Sequence, residues 1–337
     1  MPLLEVPVID LTLYREGTPE GKAKVAELIG QACRDIGFLV VSGHGIPDDL
    51  VRKTYDLSKA FFDMPLAEKA KCDRPAPDQV RGYSAVGGEG LSYSLDEPTP
   101  PDLKESLSIG PTDVPYDNPY YSCAAAGSHF APNVWPERPA ELKPVWTEYF
   151  AAVDGLATTL MRLFALSLDL DENFFDKTID RDISMLRALR YPRQIEPPLP
   201  GQLRAGAHSD YGSLTIVRKE VGDVGLEVMN KAGEWVSAPV IEGTFIVNIG
   251  DLMQQWTNDQ WQSTMHRVVN PPFGSEFNKD RISLVFFHQP NYDAIVECLP
   301  SCVNPGENPK YQPVSSGDHL LSKFVKQTTF GEGEKAA

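Results

Sequence analysis

Ala207-His208-Ser209-Asp210-Tyr211-Gly212 is the stretch from which the rest of this chain can be read, together with a second histidine, His266, in Gln262-Ser-Thr-Met-His-Arg-Val-Val-Asn270. In an extended strand the side chains of residues i and i+2 leave the same face, so His208 and Asp210 can grip one ion while Ser209 points away. The segment around His266 reads as a strand ending at the breaker Pro271-Pro272, and its imidazole is the natural third ligand. Two imidazoles and one carboxylate on one side of a metal leave the opposite side open. An isolated His-x-Asp is weak, since such pairs often form for hydrogen-bonding reasons, and the company it keeps decides its meaning.

That company begins fifteen positions after His266. Arg281 and Ser283 lie in Arg281-Ile-Ser-Leu-Val-Phe-Phe-His288, again i and i+2 on an expected strand. They put a guanidinium fork and a hydroxyl on one face, a combination suited to holding a carboxylate. A metal site open on one side beside a carboxylate holder suits a co-substrate that chelates iron at one end and carries a second carboxylate at the other, and two histidines with one carboxylate are the ligand set of non-haem Fe(II) oxygenases.

Further segments occur in a fixed order: Val6-Pro-Val-Ile-Asp-Leu11, Cys33-Arg-Asp-Ile-Gly-Phe-Leu-Val-Val-Ser-Gly-His-Gly-Ile-Pro47, Arg81-Gly-Tyr83, Leu186-Arg-Ala-Leu-Arg-Tyr-Pro192 and Asn248-Ile-Gly-Asp251. With the His-x-Asp, His and Arg-x-Ser elements, the chain resembles the isopenicillin N synthase-like branch of the iron(II)/2-oxoglutarate-dependent dioxygenases over nearly its whole length. The resemblance implies a mainly β fold with flanking helices, a double-stranded β-helix or jelly-roll core with an α-rich N-terminal region. It implies that His208, Asp210 and His266 bind Fe(II), that Arg281 and Ser283 hold the distal carboxylate of 2-oxoglutarate, and that Tyr191 reaches a co-substrate or substrate carboxylate. Arg81 and Tyr83 fall in a segment that lines the substrate pocket in relatives. One departure stands out: Leu189-Arg190-Tyr191-Pro192 differs from the Asn-Tyr-Tyr-Pro frequent in plant members and lies closer to isopenicillin N synthase itself, which uses no 2-oxoglutarate.

The expected reaction couples oxidative decarboxylation of 2-oxoglutarate by O2 to hydroxylation, desaturation or cyclisation of a small-molecule metabolite, an anionic one included. Three alternatives stay open at this point: a 2-oxoglutarate-independent oxidase, a zinc hydrolase and a non-catalytic binding protein. No His-Glu-x-x-His segment accompanies the triad to favour the hydrolase, and the intact ligand set counts against the binding protein.

Bulk properties narrow the class. The 337 residues, 42% hydrophobic and 23% charged, describe a globular chain with a substantial core. A net charge of −16, from 31 basic and 47 acidic residues, repels nucleic acid and anionic membranes. No apolar run suggests a membrane span and the N-terminus does not read as a signal peptide, so a cytoplasmic enzyme, in secondary metabolism by its resemblance, is expected. Five scattered cysteines point to reduced thiols. The oligomeric state is not legible.

Residues 1–140 read as a helical and substrate-lining region of the same globule, and 141–337 as a scaffold helix, a jelly-roll core and a C-terminal helix. Apolar spacing predicts helices over Gly21 to Asp35, Asp48 to Phe62, Leu142 to Leu168 and Leu320 to Val325. Strands are expected at Phe38 to Val41, around Asp102 to Glu105, in a hairpin of Gly225 to Met229 with Glu234 to Ser237, and at Thr244 to Asn248 before a Gly250-Asp251 turn. The stretch from Asp73 to Pro139 is long and irregular. His44, His129, His288 and His319 are expected to be structural or exposed.

Overall fold

A computed structural model describes residues 5–76, 79–92, 99–220, 222 and 225–329, the last five of these as helix backbone alone. The charged tail from Gly331 to Ala337 lies outside the described residues. In chain order the elements are β1 (Val8–Asp10), α1 (Thr12–Arg15), α2 (Pro19–Asp35), β2 (Phe38–Ser42), α3 (Asp48–Phe62), α4 (Leu66–Lys69), β3 (Gly82–Ser84), β4 (Glu105–Ile109), α5 (Pro119–Ser122) and α6 (Leu142–Ser167). Then follow β5 (Met185–Tyr191), β6 (Ala205–His208), β7 (Leu214–Arg218), β8 (Leu226–Met229), β9 (Trp235–Ser237), β10 (Phe245–Ile249) and α7 (Asp251–Trp256). The chain closes with β11 (His266–Val268), β12 (Arg281–His288), β13 (Ile295–Val296), β14 (Val314–Ser315) and α8 (Ser316–Thr329).

Two sheets carry the architecture. The larger has the order β1-β2-β10-β7-β12-β5-β4-β3 and the smaller β6-β11-β8-β9. Every pairing in them is antiparallel except β1 with β2. This is the expected jelly-roll class of fold, with open sheets facing each other rather than a closed barrel.

The large sheet is covered on both faces, and its sequence reflects this: Phe38 to Val41 is apolar without alternation. Leu39, Val41, Ala188, Val247, Leu284 and Phe286 belong to the core under the helices. Their strand neighbours Phe38, Val40, Leu189, Ile246 and Val285 join Ala205, Leu226, Val228 and Val268 of the small sheet in a second core between the sheets. A strand period of two thus sends alternate residues to a helix layer and to an inner chamber.

α2 begins where the Thr18 hydroxyl accepts from Gly21 N at 3.1 Å, with Pro19 in the first turn. α6 buries Val145, Trp146, Tyr149, Val153, Leu156 and Leu160, packing against α2, α3 and β12. By length and hydropathy α6 is apolar enough to cross a membrane, where the sequence led us to expect no such span, yet its apolar side is core of this globule. The N-terminal part is bound into the large sheet at both ends: β1 and β2 extend it beyond β10, and β3 and β4 beyond β5.

Several boundaries differ from expectation. β4 starts at Glu105, so Asp102 and Lys104 precede the strand. Asp251 opens α7 instead of closing a turn. The strand expected over Gln262 to Asn270 shrinks to His266–Val268, because the preceding residues cross another loop, where Thr264 Oγ1 donates to Ile36 O at 2.7 Å.

Candidate metal centre and co-substrate cavity

The two histidines face each other across one ladder rung, since His266 of β11 is the register partner of His208 of β6. The register then shifts, with Val268 opposite Ala205, and an irregularity of this kind re-aims the side chain beside it. β6 ends at His208, so Asp210 is not held by strand pleating as expected. It sits in the following loop, whose Asp210 carbonyl accepts from Asp251 N at 2.7 Å. Asn248, from β10, donates Nδ2 to Asp210 Oδ2 at 2.6 Å and leaves Oδ1 facing the histidines.

Asp210 Oδ1 lies 3.8 Å from His208 Nε2 and 3.7 Å from His266 Nε2. One potential ligand atom from each residue falls within 4.8 Å of the others, and all three residues are buried. Each imidazole is oriented through Nδ1, toward Gly206 O at 2.8 Å for His208 and Thr264 O at 3.1 Å for His266. This is the outer-shell arrangement that fixes a ligand tautomer with Nε2 free to coordinate. Burial and the neighbouring His266 push His208 down to about 3, so its ring is neutral and available as a ligand. For Asp210 burial works upward, but the two imidazoles and the Asn248 and Thr215 hydrogen bonds outweigh it and hold the carboxyl below its usual range. A dense set of two imidazoles and one carboxylate fits Fe(II).

The triad opens into a cavity of about 930 Å³ counted with its mouth. Arg281 and Ser283 line it from β12, on the face that also carries Val285 and Phe287. Tyr191, the register partner of Arg281, lines it too, and the guanidinium carbon lies 4.6 Å from its ring centroid, a contact that restrains the guanidinium. The residues expected for metal and co-substrate therefore converge from both sheets on one chamber.

The expected substrate residues do not both join them. Tyr83 faces the main core: its hydroxyl donates to Glu105 Oε2 at 2.5 Å and its ring packs on Phe61. Arg81 precedes β3 and lines a smaller adjoining cavity instead. Sequence reading missed Lys104, Arg187 and Gln289 as lining residues. Strand parity could have found Arg187 and Gln289, which continue the inward series of Leu189 and of Arg281, Ser283 and Phe287; Lys104, before its strand, carried no such signal. Leu320 and Phe324 of α8 close the cavity's flank. His44 and His288 are structural, bonded to Gly243 O and Ser213 Oγ at 3.0 and 2.6 Å.

Residues 6–138 match the model for the N-terminal region of non-haem dioxygenases described for morphine synthesis, and residues 183–290 match the 2OG-Fe(II) oxygenase superfamily model. The 2-oxoglutarate-Fe(II) type oxidoreductase hxnY of Emericella nidulans is 33% identical, over 97% of this chain and 91% of the relative. A homoarginine-6-hydroxylase of Oryza sativa subsp. japonica is 34% identical, over 91% and 90%. A full-length Neurospora crassa protein, crystallised in complex with alpha-KG and thymine, superposes with a TM-score of 0.83 at 31% identity, covering 95% of this chain and 96% of that one.

Proposed function

Because the chain belongs to the 2OG-Fe(II) oxygenase superfamily, we propose that His208, Asp210 and His266 hold its iron and that Arg281 and Ser283, braced by Tyr191, hold the distal carboxylate of 2-oxoglutarate. The protein is an Fe(II)- and 2-oxoglutarate-dependent oxygenase acting on a small molecule. The observation that carries the residue assignment is the convergence of the triad and the Arg-x-Ser pair on one buried chamber.

When bound, iron supplies the oxidative decarboxylation of 2-oxoglutarate to succinate and CO2 coupled to oxidation of a substrate C–H bond. The protein's own part is orientation and exclusion. Asn248 holds one oxygen of Asp210 so that the other faces the histidines. Arg281 is 4% exposed, and a guanidinium at that depth holds a carboxylate with two parallel hydrogen bonds in little competition with water. Leu189, Val285, Phe287 and Leu320 provide the apolar lining for a substrate body. The finer reading of a cytoplasmic enzyme suits the five free thiols, and a place in secondary metabolism is the expectation carried by the family resemblance.

Anaerobic addition of Fe(II) and then 2-oxoglutarate tests the assignment. A visible metal-to-ligand charge-transfer band that is absent from His266→Ala supports it, with succinate formed once O2 and substrate are added. Turnover that consumes O2 without 2-oxoglutarate would instead select the oxidase reading.

A further inference from the structure

A second cavity of about 380 Å³ adjoins the metal chamber, and Met185, Phe287, Gln289, Leu320 and Phe324 line both. Its other walls include Arg81, Ser128 and His129. Arg81 is 6% exposed, and no Asp or Glu among the described residues lies within ion-pair distance of it. Nη1 donates to Val80 O at 2.9 Å and Nη2 to His129 O at 2.6 Å, both neutral acceptors, while Nε has no partner. Residue 110 is a glycine where a Cβ would collide with the guanidinium, so the backbone is cut away to seat it. Burial lowers Arg81 only to about 10, and it remains a cation at neutral pH. Burial, with the charge of Arg81, takes His129 down to about 4, so the imidazole adds no charge. Gln289 Oε1, in the wall between the cavities, is also buried without a partner.

An uncompensated buried cation is costly, and the surrounding fold normally provides its counter-charge. Two buried cations that face the main chamber illustrate the rule: Arg187 is paired with Glu89 at 2.9 Å and Lys104 with Asp102 at 2.7 Å. Arg281 is assigned to the co-substrate. Arg81 has no such carboxylate among the described residues, and it sits at the end of a path walled by methionine, leucine and phenylalanine side chains.

We propose that the Arg81 cavity is the head-group subsite of the substrate, and that the substrate is an amphipathic carboxylic acid. Its carboxylate meets the Arg81 guanidinium, its apolar body lies along Met185, Phe287, Leu320 and Phe324, and the carbon to be oxidised is turned toward His208 and His266. Gln289 bonds a polar group at the junction. This inference rests on the oxygenase reading above, which supplies the reaction, but it concerns a different set of residues.

The test is anaerobic titration calorimetry of the protein loaded with Fe(II) and 2-oxoglutarate. The probes are phenylacetate, 3-phenylpropionate, 4-phenylbutyrate, hexanoate and octanoate, each beside its primary amide. At least one acid should bind about tenfold or more tightly than its amide, the scale of one charge-assisted hydrogen bond, without displacing 2-oxoglutarate. Arg81→Ala and Arg81→Gln should erase that preference, and Arg81→Lys should recover part of it. The proposal is overturned if no acid in the panel outbinds its amide on the wild-type protein, a comparison that needs no variant, or if the preference survives in Arg81→Ala. The charge-transfer band recorded on the same samples separates the two readings. A band without acid preference sinks the head-group subsite, whereas acid preference without a band sinks the oxygenase assignment and supports the subsite.

Discussion

At the scale of single residues the site makes sharp demands. His208→Ala, Asp210→Ala and His266→Ala should each abolish most iron binding and turnover while the circular dichroism spectrum is kept, because each removes one of the three proposed protein ligands. Chloride and formate must be excluded for Asp210→Ala, since a small anion can occupy the space left by the carboxylate. Asn248→Leu should lower iron affinity by roughly ten- to a hundredfold, the usual consequence of losing an outer-shell partner, since Asp210 Oδ2 then loses its 2.6 Å hydrogen bond; unchanged affinity in an equilibrium titration would remove Asn248 from the site. Arg281→Lys keeps the charge but not the fork, so the 2-oxoglutarate requirement should rise by about tenfold or more. Ser283→Ala should act in the same direction and less. Both leave the triad intact, so iron affinity measured without co-substrate should stay level.

At the scale of elements, two glycines of opposite consequence show how tightly the region behind the metal is packed. Gly250 joins β10 to α7, and a Cβ there would collide with Gly212 O, in the loop that carries Asp210. Gly250→Ala should cost roughly 1–3 kcal/mol in denaturant unfolding, the usual range for overpacking, and should weaken iron binding because Asp251 N anchors the Asp210 carbonyl. Gly155, mid-way along α6, has nothing within 4 Å of its would-be Cβ. Gly155→Ala should raise stability by about 0.5–1 kcal/mol, the helix-propensity difference, with activity unchanged. A loss of stability at position 155 would mean that α6 is not the regular scaffold described.

At the scale of the molecule, residues 1–140 are structural as well as part of the chamber wall, to which they contribute Phe38, Leu91 and Lys104. β2 flanks β10 and β4 flanks β5, while α2 and α3 cover the sheet. A fragment of residues 141–337 would expose both flanks and an apolar face, and we expect it to show no cooperative thermal transition. Acid sensitivity follows from Glu89, which ties this region to β5. Burial pushes its carboxyl up, but Arg187, Arg74 and Lys104 outweigh that and hold it at about 2, against 4.5 when unperturbed. A depressed pKa contributes stability that is full above the unfolded value and lost as pH falls through the folded one. The stability of the metal-free protein should therefore fall between pH 4.5 and about 2. Glu89→Gln should flatten that fall and lower stability at pH 7 by roughly 3–5 kcal/mol, because it leaves the buried Arg187 guanidinium, and with it the half-buried Arg74, without their carboxylate.

The sequence by itself determined the chemistry of the site and most of its scaffold. Residues i and i+2 on β12 share a face for reasons of chain geometry, so Arg281 and Ser283 were legible as a pair. The apolar spacing of α3 and α6 marked these helices almost to their ends. Other features depended on contacts between segments far apart in the chain. Asp210 lies just past the end of its strand and is held by Asn248 and Asp251 N, about forty residues away. His266 meets His208 across one rung of the β6–β11 ladder, beside a register shift, which no local pattern encodes. Tyr83 and Arg81 stand two positions apart in one motif, yet packing turns the first into the core and the second toward its own cavity. Local spacing reports which faces a segment can present; which groups meet on those faces was decided by tertiary structure, because the partners of a buried polar group are chosen by the whole fold.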